Sequence, residues 1–180
     1  MVYLTILILL VGCTQFVLGF IILAIAKKEQ AFSIIGANGS YRPLWHGRFI
    51  LGLVLSTPWV WKQIFLALTK RAYLSTRIAP NKDKGWDKAS NLNLARQRQK
   101  YVETTGTPVL NPNQGGQFLS WLWNGTGYLY FWFFILTLMR LRQKAFVYFT
   151  EDLAGSARVN RELEFAQRYQ MTILPFEDPP

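Results

Sequence analysis

The chain has 180 residues but only one histidine and one cysteine, so few of its side chains can ligate metal or act as a nucleophile. His46 stands between Trp45 and Arg48, just ahead of the apolar run that opens at Phe49. A neutral imidazole can serve as an axial ligand, which makes His46 the candidate ligand for a haem or chlorophyll-type metal. A lone histidine at such a place more often packs against headgroups or a partner. With no second histidine, bis-histidine ligation is excluded. A zinc site needs several His, Cys or carboxylate ligands, and a hydrolase needs a nucleophile with an oriented base. Neither pattern stands out, and there is no glycine-rich phosphate loop. The expectation is a protein that is not an enzyme and holds no cofactor of its own, with contact to pigments or lipids of a host assembly.

Leu10-Val11-Gly12-Cys13 matches a lipoprotein-type cleavage box. No basic residue precedes it, however, and the apolar run continues to Ala26, so Cys13 is read as a retained apolar residue. A single cysteine also rules out a disulfide within the chain. Asn124-Gly125-Thr126 matches a glycosylation sequon but lies inside an apolar run, where helix packing is the better reading. All ten acidic residues lie outside the apolar runs, which argues against an autonomous pump or proton channel. Lys62 is the one ionisable residue near a span interior, and snorkelling accounts for it.

The elements that would position these residues follow from the apolar patterning. Half of the chain is hydrophobic, 16% is aromatic, and the net charge is +10. The basic residues flank apolar runs, so their expected partner is a membrane surface and not a nucleic acid. Residues 1–26 form a first predicted span, closed by Lys27 and Lys28, in which Gln15 is expected to face another helix. Residues 49–68 form a second, kinked at Pro58, whose freed carbonyl Ser56, Thr57 or a neighbour would satisfy; its clean apolar run, 49–61, has the length of a re-entrant or interfacial segment, which is the alternative to a kinked span. Residues 118–140 form a third, with the helix continuing to about residue 149. Its first half holds Asn124, Gly125, Thr126 and Gly127 as a packing patch, and its aromatic remainder suits lipid tails. Arg48, Lys70, Arg71, Arg140, Arg142 and Lys144 complete the set of expected headgroup anchors.

Between the second and third spans lies a polar loop, residues 70–117. Its basic part carries Trp86 and Tyr101, a pairing that can bind a nucleic acid strand, although lipid or an acidic protein is the expected partner there. The loop has little core of its own and is expected to be ordered by partners. Residues 151–169 read as a surface helix with Val159, Leu163 and Ala166 in one stripe, followed by an extended acidic tail.

The predicted fold is thus an all-α membrane protein with three transmembrane helices in residues 1–150 and an amphipathic surface helix in residues 151–180. The expected place is a bacterial inner or intracytoplasmic membrane, or an organellar inner membrane. The expected function is that of an accessory subunit in an energy-transducing complex, respiratory or photosynthetic, among other integral membrane subunits and lipids. The alternatives are a component of a secretion or conjugation machine and a standalone membrane enzyme or transporter.

Overall fold

The computed structural model describes residues 2–28, 46–77, 87–112 and 126–177. They divide into two compact units, one helical and one α/β, with the divisions near residues 65, 117 and 135.

The helical unit contains α1 (Val2–Lys28), α2 (His46–Leu55), most of α3 (Thr57–Thr69) and the first part of α5 (Thr126–Leu141). Among the described residues, α1 is the one unbroken helix long and apolar enough to cross a membrane, over Leu10–Lys28. It packs against α2 at Gly19, where a Cβ would come within 3.1 Å of Ile50 Cγ1 and 3.3 Å of Leu53 Cδ1. Small residues permit such close approach between apolar helices. Gln15 is fully buried. Both its amide atoms lack a hydrogen-bond partner among the described residues. A buried, unpaired amide costs about 1–3 kcal/mol. Gln15→Leu is therefore expected to raise the unfolding midpoint of the purified chain in mild detergent, and a lowered midpoint would refute this.

The second predicted span is not one helix. Phe49–Leu55 and Thr57–Thr69 meet at a bend of 86°. The cause is local, because Pro58 has no N–H to give the carbonyl of Val54, four residues back. Thr57 Oγ1 donates to that carbonyl instead, at 2.6 Å, while Ser56 Oγ donates to Gly52 O at 2.6 Å. The hydroxyls thus satisfy the backbone as expected, but around a corner. The aromatic stretch in α5 also departs from expectation, since residues 129–136 are all buried within the protein. Trp59 lies 5.2 Å from Phe131 and 6.1 Å from Trp132, and Phe49 lies 6.0 Å from Tyr130. A helix apolar all round is buried all round, and here protein covers it.

The α/β unit holds four short parallel strands in the order β2-β1-β3-β4: β1 (Ala72–Ser75), β2 (Val109–Leu110), β3 (Ala145–Phe149) and β4 (Ile173–Phe176). β1 is paired on both edges, with Ala72 opposite Val109 on one side and Ala145 on the other. Parallel neighbours need a crossover. Helix α4 (Lys88–Thr104) connects β1 to β2, and α6 (Ala157–Arg168) connects β3 to β4 after a 3-10 turn at Thr150–Leu153. Alternation along the strands sorts the two faces. Ala72, Leu74, Val147 and Phe149 pack with Val102 of α4, while Tyr73 and Ser75 reach Glu162 of α6. A helix therefore covers each face, and every residue of β1 is buried.

These findings correct the all-α, three-span reading. Residues 145–149, expected to extend the third helix, are the strand β3. The helix stops because Gln143 takes a left-handed conformation (φ 53°). Gln143 N–H then donates to Arg140 O, and Lys144 N–H to Met139 O, which caps the last carbonyls. Gln170 (φ 53°) ends α6 in the same way, with Met171 N–H on Ala166 O. The chain then enters β4 where an acidic tail was expected. Glycine normally marks such caps, and Gly106 (φ 82°) does so after α4. A left-handed non-glycine residue costs about 1–2 kcal/mol, partly offset by glycine's larger unfolded-state entropy. Gln143→Gly is expected to gain up to about 1 kcal/mol in chemical denaturation, and a loss of stability would contradict it.

The polar loop is also corrected. Within residues 70–117 lie β1, α4 and β2, so the segment supplies core and does not lack one. Helix α4 is set by its cap: Asp87 accepts Ser90 N–H at 2.9 Å and the Ser90 hydroxyl. The Ser90 hydroxyl, then its backbone N–H, hold the Asp87 carboxyl below the usual carboxylate value. Because the folded value is the lower one, the cap's contribution is full above the ordinary carboxylate value and is lost as pH falls from there through the lowered folded value. Amide exchange at the first turn of α4 is expected to lose protection on acidification, and Asp87→Ala should abolish that pH dependence.

Candidate site at the carboxyl ends of β1 and β3

Reading outward along the sheet, β1 is followed to one side by β2 and to the other by β3. The order reverses between β1 and β3, and open parallel sheets bind ligands outside the carboxyl ends of the strands at such a point. Here it gathers buried polar side chains from β1, both crossover helices and the segments that follow β1 and β3.

Glu162 is the centre of one cluster. It lies in α6 and is 1% exposed. Tyr73 OH donates to its Oε1 at 3.0 Å and Ser75 Oγ to its Oε2 at 2.5 Å. Arg158, one helical turn earlier, places Nε 3.6 Å from Oε1 and donates through Nη2 to the carbonyl of Thr76. Tyr148, half-buried, is in register with Ser75 on the next strand. The rings of Tyr73 and Phe146 stack at 5.9 Å on the same face. Glu162 is thus a carboxylate fixed through both oxygens by hydroxyls, beside aromatic surface. Ser156 starts the helix that carries it, accepting Val159 N–H at 3.4 Å.

Asp152 is the centre of the other cluster. It sits in the 3-10 turn after β3 and is fully buried. Its Oδ2 accepts Arg98 Nη1 at 2.7 Å and the backbone N–H of Arg77 at 3.0 Å, and its Oδ1 lies 3.1 Å from Arg77 Nη1. Arg77 Nε donates to Asn91 Oδ1 at 3.3 Å. Arg98, fully buried in α4, also lies over the Phe149 ring at 4.3 Å and 3.8 Å from Glu151. Asp152 therefore ties the loop after β1 to the loop after β3 and to α4. Arg77, Arg98 and Arg158 stand against the buried carboxylates of Asp152 and Glu162. Charges this far from water persist only when paired and hydrogen-bonded.

The residues singled out from the sequence lie elsewhere. His46 opens α2 and Gly127 lies in the first turn of α5, but the side chains of His46, Arg48 and Thr126 fall outside the described residues, as do Asn124 and Gly125 entirely. Trp86 is likewise outside them, and Tyr101 packs edge-on against Phe176. Among the described residues no group of three or more His, Cys, Asp or Glu side chains is arranged to hold a metal. Lys27 and Lys28 are exposed at the end of α1. Lys70 instead lies 3.5 Å from Glu103, and Arg140 lies over the Tyr169 ring at 4.3 Å. Arg71 and Arg142 are exposed and Lys144 is half-buried.

The sequence did carry a signal for Glu162. It lies three residues after Val159 and four before Ala166, so it shares their buried stripe, which Arg158 and Phe165 complete. A carboxylate on the buried face of a helix needs a partner, and that requirement points to the site.

Sheet order, helices on both faces and a buried polar cluster at the strand-order reversal define the second unit as a parallel α/β fold of the open, doubly wound type. Comparison with protein-family models, curated proteins and solved structures yields no match for this chain.

Proposed function

We propose that this chain is a membrane-anchored α/β protein that binds a small polar ligand outside β1 and β3 and acts on it through Glu162. The observation that carries this reading is the buried carboxylate held by Tyr73 and Ser75 at the strand-order reversal. A carboxylate without metal or histidine has two chemistries. It moves protons as a general acid or base, or it attacks an electrophilic carbon, as carboxylates do at glycosyl centres. The rings of Tyr73 and Phe146, both fully buried, stack beside the carboxylate and wall it on its face of the sheet. Of the two, the one proposed here for testing is transfer or hydrolysis of a glycosyl group, with Glu162 as the reacting carboxylate and Tyr73 and Ser75 as positioning residues. The test is a panel of nucleosides and aryl glycosides, scored for binding by thermal shift and for bond cleavage by product release. Cleavage that depends on Glu162 supports the reading. Binding and cleavage absent across the panel would overturn it.

A second reading keeps the accessory-subunit expectation and draws on α1, where Leu10, Phe16, Val17 and Phe20 are exposed along an apolar helix. Such a surface can meet neighbouring subunits as well as lipid. Co-purification of a stoichiometric membrane partner in mild detergent would favour it.

A further inference from the structure

The bend at Ser56 leaves α3 with an exposed face of its own. Trp61, Phe65 and Leu68 recur along it at helical spacing, 46%, 64% and 41% exposed, while Val60, Gln63 and Ala67 on the opposite side are buried. Lys62 is exposed beside Trp61. With 13 residues, α3 is about 20 Å long, too short for a hydrocarbon core of about 30 Å. The 86° corner prevents α2 from adding its length in a straight line. An apolar stripe bordered by lysine on a short helix is the pattern of a segment lying in the membrane plane, its ring and aliphatic side chains in the acyl boundary and its ammonium group at the headgroups.

We infer that α3 is an interfacial helix, with Trp61, Phe65 and Leu68 seated in the headgroup–acyl boundary of a phospholipid bilayer and Lys62 among anionic headgroups. Two observations favour lipid over a protein occupant. The preceding helix α2 packs directly on α1 at Gly19, and α1 is, among the described residues, the one unbroken helix long and apolar enough to cross a membrane. In addition, Leu51, Val54 and Leu55 of α2 are exposed and apolar up to the corner. The inference rests on α1 as the membrane anchor and adds a second, in-plane attachment.

The test uses the full chain with Cys13→Ser, carrying one fluorophore-labelled cysteine at a time through Val17→Cys, Trp61→Cys, Phe65→Cys or Leu68→Cys. Each variant is placed in vesicles of phosphatidylcholine and phosphatidylglycerol with spin-labelled lipid, the label either near the headgroup or near the chain end. Positions 61, 65 and 68 are expected to lose more fluorescence to the shallow label than to the deep one. Position 17 in α1 reports separately whether the anchor is inserted. Stronger quenching of 61, 65 and 68 by the deep label would overturn the inference in favour of a bent span. Insensitivity to both labels with iodide access, while position 17 still responds, would overturn it in favour of a helix outside the bilayer. No response at any position would sink the anchor and the inference together.

Discussion

Asp152→Ala is expected to lower the stability of the α/β unit by about 3–5 kcal/mol, the cost of leaving a buried charge without its partner. Arg98 is fully buried, and its shortest contact is to Asp152 at 2.7 Å. Without that carboxylate, the guanidinium loses its shortest ion pair and is left with weaker contacts such as Glu151 at 3.8 Å and the Phe149 ring. The backbone N–H of Arg77 loses its acceptor as well. The measurement is urea unfolding of Asp152→Ala, Arg98→Met and the double variant, followed as a cycle. The double variant is expected to recover much of the loss, because an apolar pair of similar volume often replaces a buried ion pair at little cost. A single-variant loss under about 1 kcal/mol, the range of exposed pairs, would mean that water reaches the cluster.

Glu162→Gln is expected to reduce turnover of any accepted substrate by about 100- to 10,000-fold, the range for loss of a proton-transferring group. Binding should survive, because the amide keeps the shape of the carboxylate and one acceptor oxygen. Tyr73→Phe and Ser75→Ala each remove one hydroxyl that fixes the carboxylate, so they are expected to reduce turnover less and to leave KM nearly unchanged. A carboxylate kept only for folding would behave differently, with the three variants lowering the melting temperature and leaving turnover per folded molecule intact. That pattern would remove Glu162 from the proposed chemistry.

Helix α1 was legible from the sequence because its apolar run is long and closed by charge. Lys27 and Lys28 end it where the pattern says it ends. The hydroxyl rescue at Pro58 was legible too, since proline always frees the same carbonyl. The strands were not. β1 has four residues and β2 two, and periodicity cannot separate a short buried strand from a piece of helix. Ala145–Phe149 has the aromatic and β-branched composition of a strand, but it follows an aromatic helix with no glycine or proline between them. The left-handed Gln143 marks that boundary in the backbone alone.

Composition settled the basic, aromatic and cysteine-poor character of the chain, and patterning settled one helix able to cross a membrane. Only the tertiary structure decided that the polar middle of the chain is the centre of a parallel sheet. Strand pairing joins residues far apart in sequence, as Tyr73 joins Phe146, so no local window contains it. The candidate site has the same origin. Tyr73, Ser75 and Glu162 are ordinary residues in their own neighbourhoods, and become a buried cluster because β1 and β3 pair and α6 folds back over them.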